Sequence, residues 1–188
     1  MKNILASIRM LLAMTLLTGL LYPLAVTGLA KTFWHAQAEG SMLNRDGLVI
    51  GSSLIAQKFT SDKYFWPRPS ACDYNASGSS GSNYGPTSAA LKKAVDDRRT
   101  ALLKAHPGQA EIPEDLLFAS GSGLDPHISP AAARYQVERV AKARKLEAAK
   151  IAALLERSVE PPQFGVLGEA RVNVLELNLA LDGLKELK

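Results

Sequence analysis

The chain has a single cysteine, Cys72, among 188 residues. It cannot close an internal disulfide, so any domain here must be held by packing and hydrogen bonds. Histidine is also scarce. His35, His106 and His127 are scattered and none has a cysteine nearby, which excludes the usual zinc spacings. No charge of one sign predominates beyond Ala30. That part carries 20 basic residues (all but Lys2 and Arg9 of the 22) against 18 acidic ones, too even for a general polyanion binder. A phosphate loop is missing too. The Gly/Ser-rich stretch around GSSGSN has no following Lys-Ser/Thr and no strand-like run before it.

What the sequence does have is a long apolar run, Met10 to Ala30, without a charged residue. As a helix it would rise about 31 Å, close to the hydrocarbon thickness of a bilayer. Lys2 and Arg9 flank one end and Lys31 the other, and Phe33 and Trp34 sit where a membrane interface would fall. A cleaved signal peptide is the competing reading, with Ala36-Gln37-Ala38 as its cleavage site. The run exceeds the usual 7–15-residue apolar region of a signal peptide, and that site lies past Lys31 and His35. The expectation is therefore a transmembrane helix. Pro23 is tolerable in such a helix, and Thr18-Gly19 and Thr27-Gly28 offer small surfaces for a neighbouring helix. The basic tail without acids orients the N-terminus to the cytoplasm. The expected organisation is a cytoplasmic tail (1–9), a membrane helix (10–34) and one extracytoplasmic α+β domain (35–188). The domain has three or four helices, a few short strands and a loop at 75–86.

Within the domain, Leu48–Phe59 reads as one or two strands broken at Gly51. The two prolines of YFWPRPSACDY, residues 64–74, forbid a helix, and its aromatics need burial. A helix is expected over 87–106, capped by Thr87 or Ser88 and stopped at Pro107-Gly108. Leu116–Ala119 reads as a short strand. Asp125-Pro126-His127 places a carboxylate and an imidazole two residues apart. That is an acid/base or metal pair in one reading and a self-bonded turn with an exposed His127 in the other, and the turn is the expectation. Ser129-Pro130 opens a second helix to about Lys145, and a third covers Glu147–Arg157. From Arg134 to Arg157, seven basic residues face three acids, a weak likeness to a helix-turn-helix whose turn has no glycine. Phe164–Val172 reads as strand with Gly165 and Gly168 at bends. A last helix runs from Val174 to Leu187, with Asn173 near its cap.

Taken in order, TGLLYP, GSSLIAQKF, YFWPRPSA, SGSNYGPT, SGLDPHISPAAARYQVERVAKAR and VNVLELNLALD closely resemble the C subunit of the Kdp-type potassium-transporting ATPase. The likeness covers nearly the whole chain, as far as Asp182. It departs where this chain reads SGSSGSN for SGGSN and Phe118-Ala119-Ser120-Gly121 for a Thr-Ala-Ser-type run. The resemblance implies a non-catalytic subunit of a high-affinity potassium pump. ATP and potassium are then used by the complex, and no cofactor is assigned to this chain. The implied partners are a channel-like potassium-binding subunit, a P-type ATPase subunit, often a small membrane peptide, and the lipid bilayer, with no nucleic acid. It also implies a role in assembly, described as that of a catalytic chaperone that raises ATP affinity. The chain lacks an aspartyl-phosphorylation signature of the Asp-Lys-Thr-Gly kind. Candidate partner-binding residues are Thr18, Gly19, Tyr22 and Pro23 in the anchor, Tyr64, Trp66, Arg68 and Pro69 in the aromatic loop, and Asp125 and His127. An anchored extracytoplasmic enzyme and a membrane-tethered nucleic-acid binder are the alternatives.

Overall fold

A computed structural model describes residues 2–184, which fall into two compact units, Met1–Ser52 and Ser53–Lys188.

The first unit is a long helix and a hairpin. Helix α1 (Lys2–Leu16) passes through a π-helical turn, Leu17–Leu21, into α2 (Tyr22–Phe33). The π turn has a local cause. Pro23 has no N–H, and in a regular helix its ring would crowd the carbonyl four residues back, at Gly19. The chain inserts a residue instead, and the Tyr22 N–H bonds to the Leu17 carbonyl five positions back. The hydroxyls of Thr18 and Thr32 fold onto the Met14 and Gly28 carbonyls, which satisfies these two polar groups on the helix's apolar surface. The apolar helix runs from Asn3 to Phe33 with its side chains exposed, and by length and composition it can cross a membrane. It begins well before the Met10 at which the apolar run starts. After a short α3 (His35–Ala38), the strands β1 (Met42–Arg45) and β2 (Leu48–Ser52) pair antiparallel around a turn in which Asp46 and Gly47 both have positive φ. Only the first part of the expected Leu48–Phe59 strand forms. Beyond Ser52 the chain turns and runs on without regular structure.

The second unit packs helices against a small sheet. Its helices are α4 (Ala89–Ala105), α5 (Glu114–Leu117), α6 (Pro130–Arg144), α7 (Ala148–Arg157) and α8 (Val174–Asp182). The strands β3 (His127–Ile128), β4 (Val159–Glu160) and β5 (Arg171–Asn173) form an antiparallel sheet in the order β3-β5-β4, with Val172 between Ile128 and Val159. Ala133, Val137, Val140 and Ala141 of α6 are buried, as are Ile151 and Leu155 of α7 and Leu177 and Leu181 of α8. Burying side chains of this kind stabilises a fold by about 1.5–3 kcal/mol each for the larger ones.

Local chemistry sets the helix ends. The Ser129 hydroxyl accepts from the Ala132 N–H at 3.0 Å, and Pro130 is the first residue of α6. At its other end Lys145 adopts a left-handed conformation (φ 57°), and the Leu146 N–H returns to the Ala141 carbonyl. This turn does its work without the glycine usually found there. Asn173 caps α8 through the Glu176 N–H at 3.1 Å. The helix ends at Asp182 with Gly183 at its C-cap, short of the expected Leu187, which itself lies outside the described residues.

Three sequence expectations are corrected. Leu116–Ala119 is not a strand, because Glu114–Leu117 form one helical turn. Pro113 and two acids at its start favour a helix N-terminus, and the turn lets both Leu116 and Leu117 enter the core, where a strand would send them to opposite faces. Phe164–Val172 contains strand only at its end. Phe164, Gly165 and Gly168 all have positive φ, which no strand allows, and residues 163–167 close a tight turn. His127 is half-buried in β3 rather than exposed.

Candidate functional site

The aromatic segment Tyr64–Pro69 runs extended through the second unit without a partner strand, so its buried backbone groups need other partners. Two carboxamides supply them. Asn178 of α8 accepts from the Phe65 N–H at 2.8 Å and donates to the Phe65 carbonyl at 3.0 Å. Gln136 of α6 does the same for Trp66, at 2.7 and 3.1 Å. Each amide serves one residue as a neighbouring strand would, and Phe65 is fully buried between the two helices.

Arg139, one turn on from Gln136, completes the clamp. Its guanidinium donates to the carbonyls of Asp62 (2.8 Å) and Tyr64 (3.0 Å) and to Gln136 Oε1 (2.7 Å), and lies 3.8 Å from the centre of the Trp66 ring. Burial lowers its pKa to about 10, with Asp62 opposing the shift. Its Nε–H donates to Nε2 of His106 at 3.0 Å, while His106 Nδ1 lies 2.9 Å from the Leu102 carbonyl. His106 is therefore a buried neutral imidazole. Desolvation pushes its pKa below the ordinary value, and the Arg139 charge adds to that, against the Leu102 carbonyl and Asp62. Tyr64 is held by Arg144, whose guanidinium lies over its ring and pairs with Asp182 at 2.6 Å, while the Tyr64 hydroxyl reaches the same carboxylate.

The far end of the segment meets residues 120–123, which also bond to the Gly/Ser-rich loop. The Pro69 carbonyl accepts from the Ser120 N–H, Ser70 Oγ donates to the Gly123 carbonyl at 2.7 Å, and Ser79 Oγ donates to that of Ser122. Gly123 has φ +69°, and a Cβ there would stand 2.5 Å from Cys72 Sγ and 2.7 Å from the Ser80 carbonyl oxygen. Only glycine lets these loops approach so closely. Residues 75–86 thus form a loop whose Ser79–Gly81 part is tied to 121–123.

Arg68 and Asp125 face each other at 3.1 Å on the wall of a cleft of about 970 Å³, which His127, Asp115, Glu160 and Arg171 also line. Asp125 accepts the His127 backbone N–H at 3.0 Å, the self-bonded turn expected from the sequence, and the His127 ring lies 3.7 Å from the same oxygen. Burial would raise the Asp125 pKa. The His127 ring and N–H and the Arg68 guanidinium outweigh it and hold the carboxyl below its ordinary value. Asp125 is thus an ionised structural acceptor. No serine or cysteine is hydrogen-bonded to His127, and no cluster of three metal-ligating side chains exists among the described residues. Three of the seven basic residues of the helix pair are spent on the fold. Arg139 and Arg144 hold the aromatic segment and Arg134 pairs with Glu156. Neither the enzyme nor the nucleic-acid alternative gains support.

The structure brings Tyr64, Trp66, Arg68, Pro69, Asp125 and His127 into one unit. Thr18, Gly19, Tyr22 and Pro23 lie on the apolar helix of the other. Sequence reasoning missed Gln136, Arg139, Asn178 and His106. The signal was present: Gln136 falls on the apolar face of α6 with Ala132, Ala133 and Val140, and Asn178 on that of α8 with Val174 and Leu181. A carboxamide amid core positions implies a buried backbone partner.

The chain thus combines an apolar helix of bilayer length with a small α+β domain built around a clamped extended segment. The KdpC family model, described as "K+-transporting ATPase, c chain", matches residues 4–183. Among similar proteins, the "Potassium-transporting ATPase KdpC subunit" of Polaromonas naphthalenivorans is 56% identical over 190 residues, covering 98% of this chain and 97% of the relative. That of Methylococcus capsulatus is 55% identical over 180 residues, covering 94% and 95%. The chain belongs to the KdpC family and is the non-catalytic c chain of a potassium-transporting ATPase.

Proposed function

We propose that the chain is an assembly subunit whose helix spans the membrane with its N-terminus in the cytoplasm and whose α+β domain works outside. There it stabilises the transport subunits or covers the ion entrance, and it does not touch ATP. Its partners are a channel-like potassium-binding subunit and a P-type ATPase subunit, with a small membrane peptide as a further neighbour. In this reading the anchor packs through Thr18, Gly19, Tyr22 and Pro23. The Tyr64–Pro69 and Gly123–Ser129 segments face a partner or fix the loops that do.

The observation that supports it most is how the charged groups are used. Asp125 and Arg68 are committed to each other and Arg139 to backbone carbonyls, which suits a rigid platform and not a nucleotide site. The charge asymmetry around the apolar run supports the orientation.

The test uses Cys72, which is partly accessible. Intact spheroplasts are treated with a membrane-impermeant maleimide, with a Ser79→Cys variant and an unfolded sample as controls. Labelling from outside is expected. Labelling only after lysis would overturn the topology and restore direct nucleotide assistance.

A further inference from the structure

The turn between β4 and β5 exposes an apolar tip that the fold does not use. Phe164 is 84% exposed, Val166 80% and Leu167 58%. Phe164 is held at φ 55°, an unfavourable conformation for an aromatic residue, and no internal packing compensates for it. Four backbone N–H groups of the tip are bonded within it: Gln163 and Leu167 exchange N–H···O bonds at 2.8 and 2.9 Å, and the Gly165 and Val166 N–H groups bond to the Pro162 and Gln163 carbonyls. Such a turn brings few unpaired backbone donors to a covered surface. From Pro161 to Gly168 it carries no charge.

The same turn walls the charged cleft. Asp115, Asp125, Glu160 and Glu169 line that cleft against Arg68 and Arg171, a local excess of two carboxylates. Arg68 is taken by Asp125, Arg171 by Glu160, and Asp115 accepts the Ser129 N–H.

We infer that the 163–168 tip and this cleft form one docking surface, whose occupant is a protein segment pairing apolar side chains with a lysine or arginine. Apolar side chains of the segment cover Phe164, Val166 and Leu167, and its cation enters beside Glu169. The flanking carboxylates argue against a bilayer as the occupant, because loops that dip into lipid carry basic flanks that attract the headgroups. The inference rests on the reading of the chain as a complex subunit and adds the surface and the chemistry of the partner.

The test uses the full-length chain with Cys72→Ser and Val166→Cys, labelled with an environment-sensitive fluorophore. It is measured alone in nanodiscs of zwitterionic lipid and again in the assembled ATPase. Alone, aqueous iodide should quench the probe and nitroxide-labelled lipid should not. In the complex, emission should shift to the blue and iodide quenching should fall several-fold. Separately, Glu169→Lys should weaken recovery of the complex at low salt, with the deficit shrinking at high salt. A probe still open to iodide in the complex would overturn the surface and leave the subunit reading intact. Quenching by nitroxide lipid would assign the tip to the bilayer and overturn the inference. A wild-type chain that recovers no other subunit would overturn both.

Discussion

The Arg139 Nε–H donates to His106 Nε2 across 3.0 Å, a bond that only a neutral histidine can accept. A protonated ring would turn a donor toward a guanidinium, placing two cations in contact inside the core. The folded state therefore lowers the His106 pKa from 6.5, chiefly by desolvation. The sign follows: neutral His106 contributes stability above pH 6.5, and that contribution is lost as pH falls below it, where the unfolded chain takes up a proton that the fold resists. The melting temperature of the full chain in detergent should drop between pH 7.5 and 5.5. A His106→Gln variant should be less stable at pH 7.5 and show a flatter profile over the same range. Equal slopes would remove His106 as the cause.

The carboxamide clamps predict large, specific losses. Asn178→Leu keeps the volume but strands the buried Phe65 N–H and carbonyl, at a cost of about 3 kcal/mol. Gln136→Leu strands the same groups of Trp66 and also a donor of Arg139, and should cost at least as much. Denaturant unfolding followed by tryptophan fluorescence reads both. A loss under 1 kcal/mol for either would mean that the segment finds other partners.

Tyr135 carries the opposite prediction. Its hydroxyl is buried without a hydrogen-bond partner, and burial raises its pKa. Tyr135→Phe removes that polar group and nothing else, so stability should hold or rise by about 1 kcal/mol. A clear loss would reveal a partner for the hydroxyl.

Two glycines should answer alike substitutions differently. Gly123→Ala meets Cys72 Sγ and the Ser80 carbonyl oxygen at a left-handed φ and should cost about 3 kcal/mol or more, whereas Gly85→Ala meets nothing within 4 Å and should stay within about 0.5 kcal/mol of wild type. Thermal melts of the two variants side by side decide it.

In the anchor, a Cβ at Gly19 would meet only Thr15 Cγ2, at 3.9 Å within the chain. Gly19→Leu should therefore leave the isolated chain folded and lower the amount of complex recovered in detergent. Full-strength recovery would remove Gly19 from the helix contact.

The legible part of this molecule was what local chemistry decides. A charge-free apolar run of bilayer length made the helix, Ser129-Pro130 started α6, Asn173 capped α8, and Asp125 closed its own turn, each from neighbours a few positions away. Family membership was legible as well, since it lies in the order of the motifs. What failed was apolar content read as strand. Leu116 and Leu117 became a helical turn and Phe164–Leu167 an exposed one, because periodicity over four residues cannot tell where the core lies. The clamp was illegible for a deeper reason. Phe65 meets Asn178 across 113 positions, and Trp66 meets Gln136 across 70. The sequence by itself determined the starts of α6 and α8, the Asp125 turn and the apolar run. Only the tertiary structure decided which buried backbone each polar side chain would serve, since a hydrogen bond is satisfied by position in space and not by nearness along the chain.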